Sequence, residues 1–448
     1  MSAPRPHLRP ATSIDRRRFL AASAAAGIGF PLWLRSARSG SPNDRLRLAS
    51  IGVGGMGAAD LGSLSSHAKV EVVALCDIDS NRLAEAKAKH PQAETFADYR
   101  EMFATMADRI DAVNVATPDH THAPAAMTAL NAGKHVYCQK PLTHDVYESR
   151  QLRLIAEKTG LVTQMGTQIH SASEYRTAVQ WIKGGLIGKV REVHSWSSKT
   201  WGYDGPDPVA APVPENVAWD LWLGTAPARP YAQGHYHPAD WRRWLDFGCG
   251  TMGDMGIHIL DPVFSALDLG APKSIVSSSP APPARSHGLR NQVSYVYDAT
   301  EYTTDDFRLT WSDGGLMPDS TGWGLPEGTG LPDQGSIFLG TEATLLLPHV
   351  AMPQLYPQEK FANVRLGRAP GGDHYHLWVD ACLGGEPTTA HFGYAGPLTE
   401  SLLLGVIANR FPTQELRWNS ETMTIENFSD AQAMIRRTYR SGYEVENL

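Results

Sequence analysis

A parallel sheet covered by helices, followed by a domain built on an open, mainly antiparallel sheet, is the fold class this sequence predicts: α/β first, α+β second. Three observations predict it. Between residues 46 and 165 short apolar runs alternate with segments of helical pattern, as parallel strands joined by crossover helices do. A glycine-rich turn, Gly52-x-Gly54-x-x-Gly57, separates the first strand from the first helix. Beyond residue 190 the β-leaning runs follow one another without long helices between them, so those strands pair antiparallel and leave one face free.

The first half is organised around the glycine turn. The apolar run Leu46 to Ile51 leads into it, and an alanine-rich helical stretch follows. Gly52 makes the turn, Gly54 lets the backbone approach a pyrophosphate, Gly55 and Met56 open the helix, and Gly57 allows helix and strand to pack closely. The phosphates then rest on the helix N-terminus, where free N–H groups and the helix dipole favour anions. A second strand, Val70 to Cys76, ends in Asp77, twenty positions after Gly57, where a carboxylate accepts hydrogen bonds from an adenosine ribose. Strand, turn, helix and acidic residue in this order define a Rossmann dinucleotide-binding domain over residues 41–165. Asp77 repels a 2′-phosphate, so NAD is expected over NADP, and nearby Arg82 moderates that preference.

With 448 residues, 42% hydrophobic and 19% charged, the chain has room for two or three soluble domains. A net charge of −7, with no basic run beyond the leader, argues against nucleic acid or an anionic membrane as partner. Residues 1–40 are set apart from the fold. Arg16-Arg17-x-Phe19-Leu20 before the apolar run Ala21 to Leu34 resembles a twin-arginine signal, which implies the export machinery as a partner and a periplasmic or other extracytoplasmic destination. The cysteines, Cys76, Cys138, Cys249 and Cys382, are scattered with no CxxC, so neither a disulfide framework nor a zinc site is indicated and no metal is expected.

Further along, Ser80 to His90 reads as a helix and Ala112 to Val115 as a strand. Thr117-Pro118-Asp119-His120-Thr121-His122 then falls at a strand's carboxyl end, where such sheets bind ligands. Thr117 and His122 are candidate cofactor contacts there, although a histidine that only caps or braces a loop is the commoner case. The strand His135 to Cys138 ends in Gln139-Lys140-Pro141 and brings Lys140 to the same edge as the glycine turn. These motifs together, Ala116-Thr117-Pro118 with His122, Ala132-Gly133-Lys134-His135-Val136 and Lys140-Pro141, resemble the glucose-fructose oxidoreductase/inositol dehydrogenase (Gfo/Idh/MocA) family in its bacterial exported form. The resemblance runs from about residue 46 to the C-terminus. That family usually has Glu-Lys-Pro where this chain has Gln139-Lys140-Pro141, so a possible carboxylate partner of the lysine or the nicotinamide ribose is missing.

The second domain, residues 166–448, opens with Gly166-Thr167-Gln168, and Gln168 is a candidate substrate contact. Residues 201–245 are rich in Pro, Trp, Tyr and His and too long for a plain connector. They read as a substrate-side lid, an oligomer arm or a structural loop; Tyr236 and Trp241 are the candidate sugar-stacking residues. In Gly253-Asp254-Met255-Gly256-Ile257-His258-Ile259-Leu260-Asp261, helical spacing puts Asp254, His258 and Asp261 on one face, with Pro262 forcing a kink or a late start. From spacing alone an N-cap with a packing histidine leads, an acid/base pair competes, and a metal site is disfavoured because three ligands on one helix face without a distant partner make poor zinc geometry. The resemblance favours the acid/base pair, because the family's Asp-x-x-x-His matches Asp254 and His258. A helical segment over about 398–448 closes the chain, and the free sheet face favours a homo-oligomer.

What the resemblance implies is a nicotinamide-dependent oxidoreductase acting on a secondary hydroxyl of a sugar, glycoside or cyclitol. His258 is the expected base, oriented by Asp254, and Lys140 the donor to the alcohol oxygen. Export implies that the cofactor is retained and recycled internally. An NAD-dependent glycoside hydrolase working by transient oxidation satisfies the same restriction, and a catalytically inactive nucleotide-bound sugar-binding protein is the non-enzymatic alternative.

Overall fold

The structure, a computed structural model, describes residues 45–326 and 328–448; the twin-arginine-like leader lies outside them. The first sheet contains β1 (Leu46–Ile51), β2 (Val70–Cys76), β3 (Glu94–Phe96), β4 (Ala112–Val115), β5 (His135–Cys138) and β6 (Thr163–Met165), all parallel, in the order β3-β2-β1-β4-β5-β6. The strand order reverses between β1 and β4, and the crevice outside the carboxyl ends at such a point is where open α/β sheets take ligands. Register fixes what lies there. Ile51 sits opposite both Cys76 and Val115, so Gly52, Asp77 and Ala116 emerge side by side. Leu48, Ala49, Val113 and Val115 are fully enclosed or nearly so, as a sheet with helices on both faces requires.

The second sheet has nine strands, β7 (Val190–Ser197), β8 (Ser274–Ser277), β9 (Gln292–Val296), β10 (Thr303–Ser312), β11 (Gln334–Gly340), β12 (Thr344–Pro348), β13 (Gln354–Tyr356), β14 (Leu416–Asn419) and β15 (Thr424–Ile425). Their order is β13-β12-β11-β7-β10-β9-β8-β14-β15, antiparallel throughout except for the parallel pair β7 and β10. Its inner face, with Val193, Leu309, Trp311, Tyr295 and Phe338, packs with residues of the helices Ser173–Lys183, Ile257–Leu267 and Phe392–Ala408 in one core.

The outer face is not bare, as the sequence had led us to expect. On one side Trp196, Ile337, Leu339, Leu346 and Tyr356 are buried with the chain's own Trp323, and the strip beside them carries exposed Glu192 and Arg308. The C-terminal stretch also departs from a helical segment. After Ala408 it gives β14, β15 and one helical turn, Ser429–Gln432, because Leu416 and Arg417 pair with β8 and extend the sheet beyond it.

Residues 201–245 form a satellite with a core of Trp222, Leu223, Tyr236, Trp241 and Trp244, completed by Phe247 just beyond it. Its middle docks beside β2: Ala218 N–H donates to Ile78 O (2.9 Å), Ser80 N–H to Asn216 O (2.9 Å), and Asn216 Nδ2 to Asp79 Oδ1 (2.8 Å). His237 Nε2 lies 3.3 Å from the other Asp79 oxygen.

Candidate active site

The glycine turn has the shape a dinucleotide needs. Gly52 stands at φ +82°, and a Cβ there would run into Ala116 O, while a Cβ on Gly57 would run into Gly52 O. Gly55, at φ +56°, faces open space, and the helix Met56–Ser65 begins with no side-chain cap and no acidic residue in its first turn. Its N-terminus is therefore available to an anion. The space beside Gly54 holds the Arg82 side chain, which lies 3.6 Å from Asp79 and adds a cation where a pyrophosphate approaches. Asp77 Oδ2 accepts from Val53 N–H and Oδ1 from Asp79 N–H, both at 2.9 Å, which aims the carboxylate at the crevice while burial pushes its pKa up. The residues fit the cofactor.

Two expected cofactor contacts turn out to be braces. His122 has both ring nitrogens 2.8 Å from backbone carbonyls, Nδ1 at Pro141 and Nε2 at Thr117, so it ties the Thr117 loop to the Lys140-Pro141 turn and has no nitrogen left for a ligand. Thr117 itself remains half-buried at the crevice edge. Gln139 donates Nε2 to both oxygens of Asp60, at 2.8 and 3.0 Å, and its Oε1 faces Lys140 N–H at 3.3 Å. The side-chain amide is therefore used within the protein. Asp60 also accepts from Tyr375 Oη at 2.8 Å, and burial nonetheless pushes its carboxyl up to about 6. The carboxylate absent at Gln139 is thus found across from it, on the helix after the glycine turn.

The chemistry-bearing groups meet at the end of β5. Lys140 Nζ donates to Asp254 Oδ1 and to Asp254 O, both at 2.8 Å. Trp201 Nε1 donates to Asp254 Oδ2 at 2.8 Å, and Arg242 Nε lies 3.4 Å from Oδ1. Burial alone would raise the Asp254 carboxyl, but Lys140, Arg242 and Trp201 outweigh it and hold the group well below the usual range. Asp254 sits in a π-helical turn, Met252–Gly256, that runs into the helix Ile257–Leu267; Pro262 within that helix has no N–H for the His258 carbonyl. Wider turns of this kind recur at functional sites.

Asp254 does not orient His258, contrary to the helical-face expectation, because the carboxylate is taken up by Lys140, Trp201 and Arg242. The orienting group is Thr167, whose hydroxyl lies 3.3 Å from His258 Nδ1. Among the described residues Nε2 has no hydrogen-bond partner. Burial, then the charge of Lys140, keeps this imidazole far below its ordinary pKa and hence neutral. His349, its ring centroid 6.1 Å from that of His258, has Nδ1 2.8 Å from Tyr175 Oη and is pushed down to about 4 by burial. Asp261, on the expected face, serves packing instead, bound to His170 (2.8 Å) and Tyr394 Oη (2.8 Å).

The structure brings Lys140, Asp254 and His258 together and disperses the proposed substrate contacts. Gln168 Nε2 donates to Tyr375 Oη at 3.1 Å, which joins it to the Asp60 network. Tyr236 and Trp241 are buried in the satellite core, where they pack on their own loop and have no face for a sugar. Trp201, Thr167, Arg242, Lys199 and His349 are the site residues the sequence did not reveal, since they arrive from segments far apart in sequence.

A dinucleotide crevice with an amine, a carboxylate and a neutral imidazole at its edge defines an NAD-binding oxidoreductase fold and site. Residues 46–167 match the family model described as an oxidoreductase family with NAD-binding Rossmann fold, and residues 186–302 match the same family's C-terminal alpha/beta domain. The two matches together span more than half of the chain, which belongs to this Gfo/Idh/MocA family. A glycosyl hydrolase family 109 protein of Stenotrophomonas maltophilia is 31% identical over 192 residues, 40% of this chain and 41% of that protein. The inositol 2-dehydrogenase of Corynebacterium glutamicum is 29% identical over 147 residues, 32% of this chain and 43% of that enzyme. The chain thus spans under half the length of these curated relatives. The WlbA dehydrogenase from Bordetella pertussis, solved with NADH and UDP-GlcNAcA, superposes with a TM-score of 0.58 at 15% identity, over 84% of this chain and 99% of that one, a likeness of fold.

Proposed function

We propose that this chain is a nicotinamide-dependent oxidoreductase acting on a secondary hydroxyl of a sugar, glycoside or cyclitol. The observation that carries this reading is the convergence of Lys140, Asp254 and His258 at the mouth of the dinucleotide crevice, with His258 Nε2 unpartnered among the described residues. Bound nicotinamide supplies the hydride acceptor; the buried Asp77 carboxylate favours NAD over NADP. Lys140, held by Asp254, donates a hydrogen bond to the substrate oxygen and stabilises alkoxide character. His258, neutral and fixed by Thr167, takes the hydroxyl proton on Nε2. The leader motif supports folded export by the twin-arginine route, and export supports a cofactor that stays bound and is reset within each cycle.

A second reading, glycoside cleavage by transient oxidation, is favoured by one observation, the glycosyl hydrolase family 109 relative. A nucleotide-bound sugar-binding protein without activity has less support now that Gln139 is occupied by Asp60. Absorbance of reduced nicotinamide, followed on the cofactor-loaded protein as sugars, glycosides and cyclitols are added, tests the three. A lasting change supports the oxidoreductase, product release without net change supports the glycosidase, and neither across the panel leaves the binding protein.

A further inference from the structure

Cationic groups outnumber acidic ones around the reacting centre. Lys140, Arg242 and Lys199 supply three cationic side chains, against which Asp254 sets a single carboxylate. Asp254 lies within ion-pair distance of Lys140 and Arg242, and Arg242 is further held over the Trp241 ring, 4.2 Å from its centroid. Lys199 has neither kind of partner. It follows the end of β7, and its ammonium lies 3.3 Å from Met255 Sδ, the residue after Asp254; among the described residues no carboxylate lies within ion-pair distance of it. A thioether is a weak acceptor for an ammonium. Around it stand His258 and His349, two imidazoles that burial and the charges of Lys140 and Lys199 keep neutral, so neither offers a counter-charge. Tyr175 Oη, on His349 Nδ1, is neutral as well.

A cation without a counter-charge, beside the proposed proton acceptor and open to solvent, selects for an anion. We propose that Lys199 binds an oxyanion carried by the substrate, so that the sugar or cyclitol taken by this site bears a carboxylate or a phosphate. The inference rests on the sugar-hydroxyl reading above and narrows it. Lys140 and Arg242 both lie against the charge of Asp254, which partly offsets them, and would contribute less. Lys199 would place the charged end of the substrate at the β7 side of the site, leaving the hydroxyl to be oxidised near Lys140 and His258.

Matched pairs decide it: glucuronate and glucose 6-phosphate against glucose, and galacturonate against galactose, with the cofactor-loaded protein. A charge-assisted hydrogen bond contributes roughly 1.5–3 kcal/mol, so an acidic member should bind about ten- to a hundredfold more tightly than its neutral partner. Binding is read from tryptophan fluorescence, to which Trp201 contributes, and turnover from nicotinamide absorbance. Lys199→Met should abolish the acidic-over-neutral preference through KM rather than kcat, and Lys199→Arg should restore most of it. The carboxylate and phosphate members separate the two sources of the oxyanion. Equal binding of neutral and acidic members, no binding of any acidic member, or a preference untouched by Lys199→Met overturns the inference while leaving the oxidoreductase reading in place. Acidic binding that depends on Lys199 with no change in nicotinamide absorbance upholds it and removes that reading instead.

Discussion

Lys140 and His258 differ from the surrounding polar groups in facing the crevice with bonding capacity to spare. Lys140 has three donors, and Asp254 accepts two of its bonds. Positioned acid–base groups are worth on the order of a hundred- to ten-thousand-fold, so Lys140→Met and His258→Asn should each lower turnover by about that factor, with circular dichroism checking that each variant is folded. A variant that keeps full turnover removes the assigned role. Asp60 makes a different prediction, because burial holds its folded pKa at about 6 against roughly 3.9 in the unfolded chain. A raised folded value means that the group's stabilisation is complete below pH about 4 and is lost as pH rises through 6. Asp60→Asn should therefore gain on the natural protein across that interval by about 2 kcal/mol in urea unfolding. A difference that stays flat with pH would show Asp60 to be ionised without penalty.

At the scale of elements, the satellite over residues 201–245 touches both ends of the crevice. Asn216 and His237 hold it to Asp79 beside the adenosine end, while Trp201 and Arg242 reach Asp254 at the reacting end. A segment held at both ends in this way is expected to slow the release of a bound dinucleotide. Removing the Asp79 contacts with Asn216→Ala and His237→Ala should speed release of the nucleotide about tenfold in a chase experiment, and should make the segment easier to cleave by protease. Unchanged release would mean that the satellite does not retain the cofactor. The glycine turn, Asp77 and the placement of Lys140 were legible in the sequence because each sits at a fixed spacing from a strand end, whereas Asp254 and His258 were singled out by the family resemblance and not by their helical spacing. Thr167, Trp201, Lys199 and His349 were not legible, because periodicity tells which residues share a face and not which element comes to lie opposite. Tyr236 and Trp241 misled for a related reason: an aromatic that packs its own loop and one that stacks on a sugar look alike in composition.

For the whole molecule, the last residues join the two halves and the satellite. Arg437 bridges Glu148 (2.9 Å) and Asp145 (3.2 Å) at the start of the helix that follows the Lys140-Pro141 turn, and also donates to His120 O. Tyr439 Oη donates to Glu148 at 2.6 Å, Arg440 pairs with Asp220 of the satellite, and Tyr443 stacks under Arg100, 4.3 Å from the guanidinium. Glu148 and Asp145 are almost wholly buried, so their charges have little recourse to water. Removing one member of a buried ion pair costs about 3–5 kcal/mol because the partner is left uncompensated, far more than losing an exposed pair. Arg437→Met keeps most of the side-chain volume and removes the charge. It should lower unfolding stability by about 3 kcal/mol, whereas Arg440→Met, at the exposed end of the same strap, should lose less than about 1 kcal/mol. The contrast is what chemical denaturation would check. If the two variants lose equal stability, the buried carboxylates are compensated by the capping contacts of the helix itself, and the C-terminal strap is an accessory to the site and not its support.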